Sequence, residues 1–343
     1  MFSSSRFARP GLVAGIITLA VAAAACGQTG SAQNTGSSSA SSAPAYPTKA
    51  IDVIVPFSAG GFTDSSARVA VEALKTEFGQ PVTVSNKEGA GGVTATTEYL
   101  RATPDGYSIM ALISGPTTEA LAANPALPYK WDSFTVLGGI GISPRVIITP
   151  VDGRLDTAEK LVDALKKDPG SVSWATGSPQ GPATFSTLAL FDQLKVDAKT
   201  PKLATFNGDG PAANAVAGGH VDFSAVNVST ALPLIKAGKV KPIIVSGSER
   251  VKALPDTPVA SEVGLKEFIL DNWLGFMAPA ETPDHIVAAW EKALESLSKD
   301  PQLQERLEAM GMVVELISAA ELTDMVEKRF ETSSDLVAKF GTS

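Results

Sequence analysis

Runs of β-type apolar residues alternate with helical patterns along most of the chain after residue 45. Helical spacing of apolar residues is clear in stretches such as 65–78 and 157–167, and the last third is mostly helical. Strands that alternate with helices are typical of α/β proteins, in which helices cover both faces of parallel sheets. We therefore predict parallel sheets built from strands at residues 51–57, 82–85, 107–112, 145–149, 172–176, 203–206, 221–226 and 242–246.

Two apolar segments have the character of crossovers between lobes. They are PRVIITP (144–150) and NWLGFMAP (272–279). The predicted first lobe holds residues 46–144 plus 276–343, and the second lobe, residues 145–275, is inserted between its two parts. A discontinuous pair of lobes with two hinge strands can close on a ligand like a clamp.

The start of the chain is not expected to belong to the fold. Two arginines precede an apolar, alanine-rich run that is short for a membrane span, so residues 1–25 are predicted to be a secretory signal peptide. Cys26 follows three alanines and resembles the lipid-modified cysteine of a bacterial lipobox; ordinary cleavage that leaves a free thiol is the alternative. Residues 26–45 are rich in Gly and Ser and predict a flexible tether. We expect an extracytoplasmic protein that a lipid on Cys26 anchors to the cell membrane, with no internal disulfide.

Glycine-rich turns follow several predicted strands and lead into predicted helices. N–H groups at a helix start carry partial positive charge and favour anions, and glycine lets a ligand approach the backbone. In open α/β sheets the ligand crevice lies beyond the carboxyl ends of the strands, where such turns would sit. For any single turn, ordinary turn chemistry is the commoner reason for its glycines, and we interpret Gly138-Gly139 as a turn or a helix end. The four turns lie within residues 55–64, 87–100, 175–190 and 206–219.

The first of these turns, VPFSAGGFTD, contains no Lys or Arg. A carboxylate could be held there by backbone amides and hydroxyl groups instead of by a side-chain cation. The sequence therefore predicts an anion site built mainly from main-chain donors.

Composition and motifs argue against several other functions. The chain has 28 Lys+Arg and 36 Asp+Glu, an acidic balance that disfavours nucleic-acid binding. Neither a P-loop nor a full dinucleotide fingerprint occurs, so no cofactor is expected. The histidines, His220 and His285, lie in polar turns, and no G-x-S-x-G motif is present, which disfavours a hydrolase. One cysteine and two separated histidines do not suggest a metal site, and no calcium-loop signature accompanies the carboxylates.

A set of motifs in a fixed order carries a family resemblance. They are VPFSAGGFTD, SNKEGAGG with ATPDGYS, NPALPY, the run from GGHVDFSAV to SGSER, LPDTPVASEVG and GFMAPAETP. Together they resemble the extracytoplasmic solute receptors of the tripartite tricarboxylate transporters, the Bug family, over about Tyr46 to Phe340. The resemblance implies a monomeric, type II periplasmic-binding-protein-like fold, with two doubly wound sheets joined by two hinge strands. It also implies a receptor that captures a small carboxylate and delivers it to a two-subunit membrane permease, without catalysis.

The resemblance further implies that one ligand carboxylate is held between turns of the two lobes, partly through ordered waters. Carried over by position, the first turn contributes Phe57, Ser58, Ala59, Gly60, Gly61, Thr63 and Asp64. The opposing turn contributes Thr176, Gly177, Ser178, Gly181, Pro182, Ala183 and Thr184. A third loop contributes Phe206, Asn207 and Gly208.

Two departures from the family pattern bear on the ligand. The second turn commonly has a His near the helix start, where this chain has Thr184-Phe185. The third loop commonly reads Tyr-Lys-Gly, where this chain has Phe206-Asn207-Gly208. Both changes remove a polar or positively charged side chain that could extend into the pocket. The acid could be mono-, di- or tricarboxylic, aromatic or an amino acid, although the missing lysine argues against a highly charged tricarboxylate.

Asp64 and three side chains at strand ends are also candidates for the ligand pocket, and for two of the four a structural role is the alternative. Asp64 could orient a bound water or accept a hydrogen bond from the ligand, or it could cap the first helix. Ser114 could line the wall of the first lobe or simply end a strand. Asn227 and Ser229 follow another strand and are candidates for the pocket.

Two other functions stay open at this point. A closed receptor could present its ligand to a sensor kinase instead of a permease, and a surface hydrolase is the more distant alternative.

Overall fold

The computed structural model describes residues 44–247, 249–266 and 271–341. The predicted signal peptide, Cys26 and nearly all of the predicted tether lie outside the described residues. Among the helices of these ranges, none is long and apolar enough to cross a membrane.

Strands and helices alternate through the described ranges as the sequence predicts. The strands are β1 (Ile51–Val55), β2 (Val82–Asn86), β3 (Ser108–Leu112), β4 (Phe134–Ser143), β5 (Arg145–Pro150), β6 (Ser173–Thr176), β7 (Lys202–Thr205), β8 (Phe223–Asn227), β9 (Val240–Val245) and β10 (Asn272–Pro279). The helices are α1 (Phe62–Phe78), α2 (Val93–Tyr99), α3 (Ser114–Thr117), α4 (Glu119–Ala123), α5 (Ala158–Lys167), α6 (Pro182–Leu194), α7 (Asp209–Ala217), α8 (Val228–Lys236), α9 (Asp284–Ser298), α10 (Pro301–Ala309) and α11 (Ala319–Phe340).

The strands form two five-stranded sheets, one in each lobe. The first has the order β2-β1-β3-β10-β4 and the second the order β7-β6-β8-β5-β9. The eight predicted strands are confirmed, and the first crossover is one of them, β5. The second crossover forms β10, whereas β4 was not predicted. The lobe bounds given above stay a prediction.

Parallel pairing is confirmed for part of each sheet, but each sheet is mixed because it also contains one antiparallel strand. β1 runs parallel to β2 and β3, but β10 is antiparallel to β3 and β4. In the second sheet β5 is likewise antiparallel to β8 and β9. β5 enters its sheet at the edge where β8 ends, since Arg145 pairs with Asn227, and it must therefore run in the opposite direction.

The interpretation of Gly138-Gly139 as a turn or helix end is wrong, since both lie inside β4. A methyl group on Gly138 would lie 2.9 Å from the carbonyl oxygen of Ile317, and one on Gly139 would lie 3.0 Å from that of Leu274. The chain approaches this strand on both sides, and glycine is needed for the close approach.

Each lobe has its own apolar core. In the first, Leu74, Phe276 and Trp290 are fully buried, and in the second Trp174 and Phe191 meet edge to face with their ring centroids 5.7 Å apart. Burying a side chain of this kind contributes about 1.5–3 kcal/mol. These cores hold the strand ends, and hence the turns after them, in place.

The last helix, α11, contacts both lobes. It starts at Ser318, whose side chain accepts from the Glu321 N–H while Glu321 reaches back to Ser318, the capping box. Leu322 packs in the cluster around the β3 and β10 side chains, and Leu336 packs with Trp174 in the second core.

Candidate functional site

Turns from the two lobes meet beyond the carboxyl ends of their parallel strands. One contact between them joins Gly115 of α3 and Pro182, the first residue of α6. A methyl group placed on Gly115 would lie 3.8 Å from the Pro182 ring, which is van der Waals contact. The structure therefore brings the strand ends of both lobes to one crevice, as expected for a ligand site in an α/β fold.

The first turn is organised by the Asp64 carboxylate, which is 3% exposed. It accepts from the Gly60 N–H at 2.8 Å, from Asn86 Nδ2 at 2.9 Å and from Arg68 Nε at 2.9 Å. Burial alone would raise the pKa of Asp64, but the hydrogen bonds from Arg68, Gly60 and Asn86 hold it below its usual value. The Asp64 carboxylate thus bonds to groups of the protein at the start of α1, a role similar to the helix capping that the sequence left open.

The rest of the first turn faces outward. Ser58, Ala59, Gly60 and Gly61 are exposed, whereas Thr63 is buried in the first turn of α1. Gly61 caps α1 without a side-chain hydrogen bond to the helix start. The main chain of this turn is therefore accessible to solvent.

One wall beside the first turn is apolar. A methyl group on Gly92 would lie 3.1 Å from Pro116 and 3.4 Å from the Phe57 ring, so these two side chains pack over that glycine. Next to them the Ser58 hydroxyl donates to Glu88, an acidic residue of the second glycine-rich turn. The Ser58 proton is thus engaged by a carboxylate of the protein.

Ser114 lies at the end of β3 but is completely buried. Its N–H and its hydroxyl both donate to Asn272 Oδ1, at 3.2 and 2.9 Å. Ser114 therefore ties the wall of the first lobe to the hinge strand β10.

The second-lobe turn uses its hydroxyl groups internally. Thr176 Oγ1 and Thr184 Oγ1 lie 2.8 Å apart, and Thr184 donates to the Ser178 carbonyl at 2.7 Å. Gly181 caps α6 without a side-chain hydrogen bond, Pro182 is the first helical residue, and no acidic residue stands in the first turn. The positive end of the α6 dipole is therefore not compensated by its own helix, and the next residue, Ala183, is small.

The third loop packs directly on the second-lobe turn. The Gly208 N–H donates to the Gly177 carbonyl at 2.8 Å, and the Phe206 N–H donates to the Thr176 carbonyl at 2.9 Å. A methyl group on Gly177 would lie 2.4 Å from the Gly208 carbonyl carbon. Gly177 is glycine because this loop approaches it, and the second turn and third loop form one unit that exposes Asn207.

Asn227 and Ser229 lie at the end of β8, near the same unit. Their side-chain oxygens are buried and have no hydrogen-bond partner among the described residues. The Asn227 N–H donates a hydrogen bond to Asp209 Oδ2 at 3.4 Å. Both candidates thus occupy the strand end that the sequence predicted for them.

Sequence reasoning missed Gly115, Arg145 and Asp209. Arg145 belongs to a segment noted only as a crossover, yet its guanidinium lies 3.2 Å from the Asp209 carboxylate at the start of α7. The available signal was an arginine within the apolar run PRVIITP, since a charge on a buried strand needs a partner. Gly115 carried no signal, because its role depends on the other lobe.

Comparison with known proteins agrees with this architecture. The chain matches the family model "Tripartite tricarboxylate transporter family receptor" over residues 66–342. Protein BugT of Bordetella pertussis is 32% identical over 272 residues, 79% of this chain and 82% of that protein. The solved structure of the periplasmic binding protein BugD is 31% identical, with a TM-score of 0.74 over 87% of this chain and 99% of that chain. MatC from Rhodopseudomonas palustris, solved with bound malate, is 30% identical, with a TM-score of 0.74 over 85% of this chain and 100% of that chain.

These neighbours confirm the predicted two-lobed α/β fold, with its two sheets and hinge strands. The family model covers most of the chain, including the second-lobe turn, the third loop and both hinge strands. The protein belongs to the tripartite tricarboxylate transporter receptor family.

Proposed function

We propose that this protein is an extracytoplasmic receptor that binds a small organic acid between its lobes and delivers it to a two-subunit membrane permease. The observation that carries the proposal is the contact of Gly115 in the first lobe with Pro182 at the α6 start, beyond the strand ends of both lobes. MatC, a neighbour of similar fold, is described with malate, which supports a carboxylate as the ligand here.

The α6 start is the favoured place for the ligand carboxylate. It presents the positive end of a helix dipole, and its first turn holds no acidic residue. Pro182 has no N–H and the Gly181 and Thr184 N–H groups are bonded within the turn, so the Ala183 N–H is the donor left at this helix start. By contrast, α1 and α7 each carry an acidic residue in the first turn, Asp64 and Asp209. A carboxylate at α6 would therefore meet less repulsion than one at the other two helix starts.

The first turn would complete the site from the first lobe. The Gly60–Gly61 main chain is accessible, and the half-buried Phe57 side chain, packed beside Pro116, offers apolar surface for the carbon skeleton of the acid. Closure would bring these groups onto the ligand while it lies at α6. We expect binding and release without covalent chemistry, a metal or a cofactor.

The location and partners are part of the proposal. A signal peptide at residues 1–25, a lipid on Cys26 and a tether at 26–45 would hold a monomeric receptor beside its permease. Metabolic labelling with a radioactive fatty acid tests the anchor: the wild-type protein should be labelled and Cys26→Ser should not. Equal labelling of both would refute lipidation at Cys26.

A thermal-shift screen tests ligand binding. The chain from residue 26, made soluble by Cys26→Ser, is heated with acetate, malate, adipate, citrate, benzoate and glutamate at fixed pH and salt. An acid at about 100 times its dissociation constant should stabilise the protein by about 2.7 kcal/mol. No shift with any acid of the panel would refute capture of a simple carboxylate.

A further inference from the structure

Arg145 is a buried cation that the proposed binding mode does not use. It is the first residue of β5 and pairs with Asn227, so it lies at the sheet edge that faces the ligand turns. Its side chain is 5% exposed, and Nη1 donates to Asp209 at 3.2 Å and to the Ala225 carbonyl at 3.3 Å. Nε has no partner among the described residues.

The partner of Arg145 is the residue that fixes the third loop. Asp209 directly follows Gly208, whose N–H donates to Gly177, and it opens α7. Its carboxylate receives Arg145 at 3.2 Å, and its other contact, from the Asn227 N–H, is longer at 3.4 Å. Arg145 therefore makes the shorter of the two contacts to the Asp209 carboxylate, two residues after the exposed Asn207.

The anchor itself is held by the hinge. The Arg145 N–H donates to the Ser246 hydroxyl, and Ser246 in turn donates to the Asp271 carboxylate, which precedes the hinge strand β10. The next residue, Asn272, receives both donors of Ser114. The main chain of Arg145, itself in the first crossover, is thus linked through Ser246 to the residue before the second crossover, while its guanidinium contacts Asp209 of the loop.

A purely stabilising role explains this pair poorly. Removing two charges from water costs free energy that a buried ion pair repays only partly, and well-packed apolar residues are often as stable or more so. A directed charge pair instead holds its two elements in one geometry. The same lobe contains a second Arg–Asp pair at the opposite end of the sheet, in which Arg154 Nε donates to Asp222 Oδ1 at 2.9 Å.

We propose that Arg145 is a positioning residue for ligand capture: through Asp209 it holds the third loop against the second-lobe turn in the geometry that the ligand meets. This inference rests on the proposed function. Without the guanidinium, the loop keeps its backbone contacts to Thr176 and Gly177 but loses its link to the hinge. Ligand affinity should then fall in addition to any loss of stability, whereas a purely structural pair would lower stability alone.

The test measures dissociation constants and unfolding midpoints for Arg145→Met, Arg145→Lys, Asp209→Asn and the double variant Arg145→Met/Asp209→Asn. Malate is the first probe, followed by the other acids of the panel. Losing one charge-assisted hydrogen bond should weaken binding by about 10- to 100-fold in Arg145→Met. Arg145→Lys should recover part of this loss, and the double variant should bind no worse than Arg145→Met, because both changes break the same link.

Arg154→Met is the matched control, since it removes an arginine from an Arg–Asp pair away from the ligand turns. It should shift the unfolding midpoint without a change in affinity. If Arg145→Met binds within twofold of the wild type, or if Arg154→Met weakens binding equally, the positioning role is refuted. If the wild type binds no acid of the panel, both the proposed function and this inference fail. Should Arg145→Met not fold, Arg145→Lys and Asp209→Asn decide the question.

Discussion

Replacing Gly177 with alanine is the most direct test of the packing between the second-lobe turn and the third loop. The added methyl group would lie 2.4 Å from the Gly208 carbonyl carbon, 2.6 Å from the Asp209 nitrogen and 2.8 Å from the Gly208 oxygen. All three are main-chain atoms, so no side-chain rotation can relieve the contact. Carbon atoms pack at about 3.5–4.0 Å, so the loop would have to move away by about 1 Å.

A displacement of this size disrupts the backbone bonds that join the two segments. These are the bonds from Gly208 to Gly177, at 2.8 Å, and from Phe206 to Thr176, at 2.9 Å. Each such bond contributes about 1 kcal/mol, and overpacking in a close-packed region costs about 1–3 kcal/mol. Since the shift that breaks the bonds also relieves the overlap, we expect Gly177→Ala to lower the free energy of unfolding by about 2–4 kcal/mol.

The assay is urea unfolding combined with a malate titration, and Gly210→Ala is the matched control. Gly210 is the second residue of α7, two residues after Gly208, and a methyl group there would meet no atom within 4 Å. Alanine in a helix is favoured over glycine by about 1 kcal/mol, so this control should be as stable as the wild type or more so. Wild-type stability and affinity in Gly177→Ala would refute the assignment of this glycine to the loop contact.

Three further changes test the crevice and the hinge. Gly115→Leu should block the approach of Pro182 and weaken ligand binding, measured by calorimetry, at least about tenfold. Gly115→Ala should bind normally, because a methyl group fits at 3.8 Å. Tight binding by the leucine variant would contradict closure at this contact. Arg329→Met leaves the fully buried Glu119 carboxylate without its cation, so the free energy of unfolding in denaturant should fall by about 3–5 kcal/mol. The double variant with Glu119→Gln should recover part of this loss. Burial raises the pKa of Asp271 to about 6, so the folded protein binds that proton more tightly than the unfolded chain, and stability should fall as the pH rises from about 4 to about 6. The unfolding temperature of Asp271→Asn should vary less over this range, and an unchanged slope would show that another group is responsible.

The alternation of elements was predictable because it depends on local periodicity. The predicted strands at 51–57 and 145–149, for example, correspond to β1 and β5. Strand direction was not predictable, since β5 and β10 run antiparallel to their neighbours only because the chain arrives from the other lobe. The role of Gly138 was likewise hidden: it depends on Ile317, a residue far away in sequence.

At the site, the sequence located the turns but not the partners of their side chains. Hydroxyl groups and glycines were expected to face the ligand, yet Thr184 bonds the Ser178 carbonyl and Gly177 makes room for the third loop. Asp64 similarly binds the Gly60 N–H. These contacts join residues of one turn or two adjacent segments, and a one-dimensional pattern does not distinguish them from ligand contacts.

This internal use of polar groups has a consequence for how the site would bind. Thr176, Thr184 and Asp64 shape their turns before any ligand arrives, and Arg145 fixes the third loop through Asp209. A site whose main-chain donors are already ordered loses little conformational entropy on binding, so modest contacts suffice for useful affinity. The same ordering leaves few side-chain cations to match a second or third carboxylate. We therefore expect lobe closure, more than added side-chain charge, to determine which acids this receptor retains.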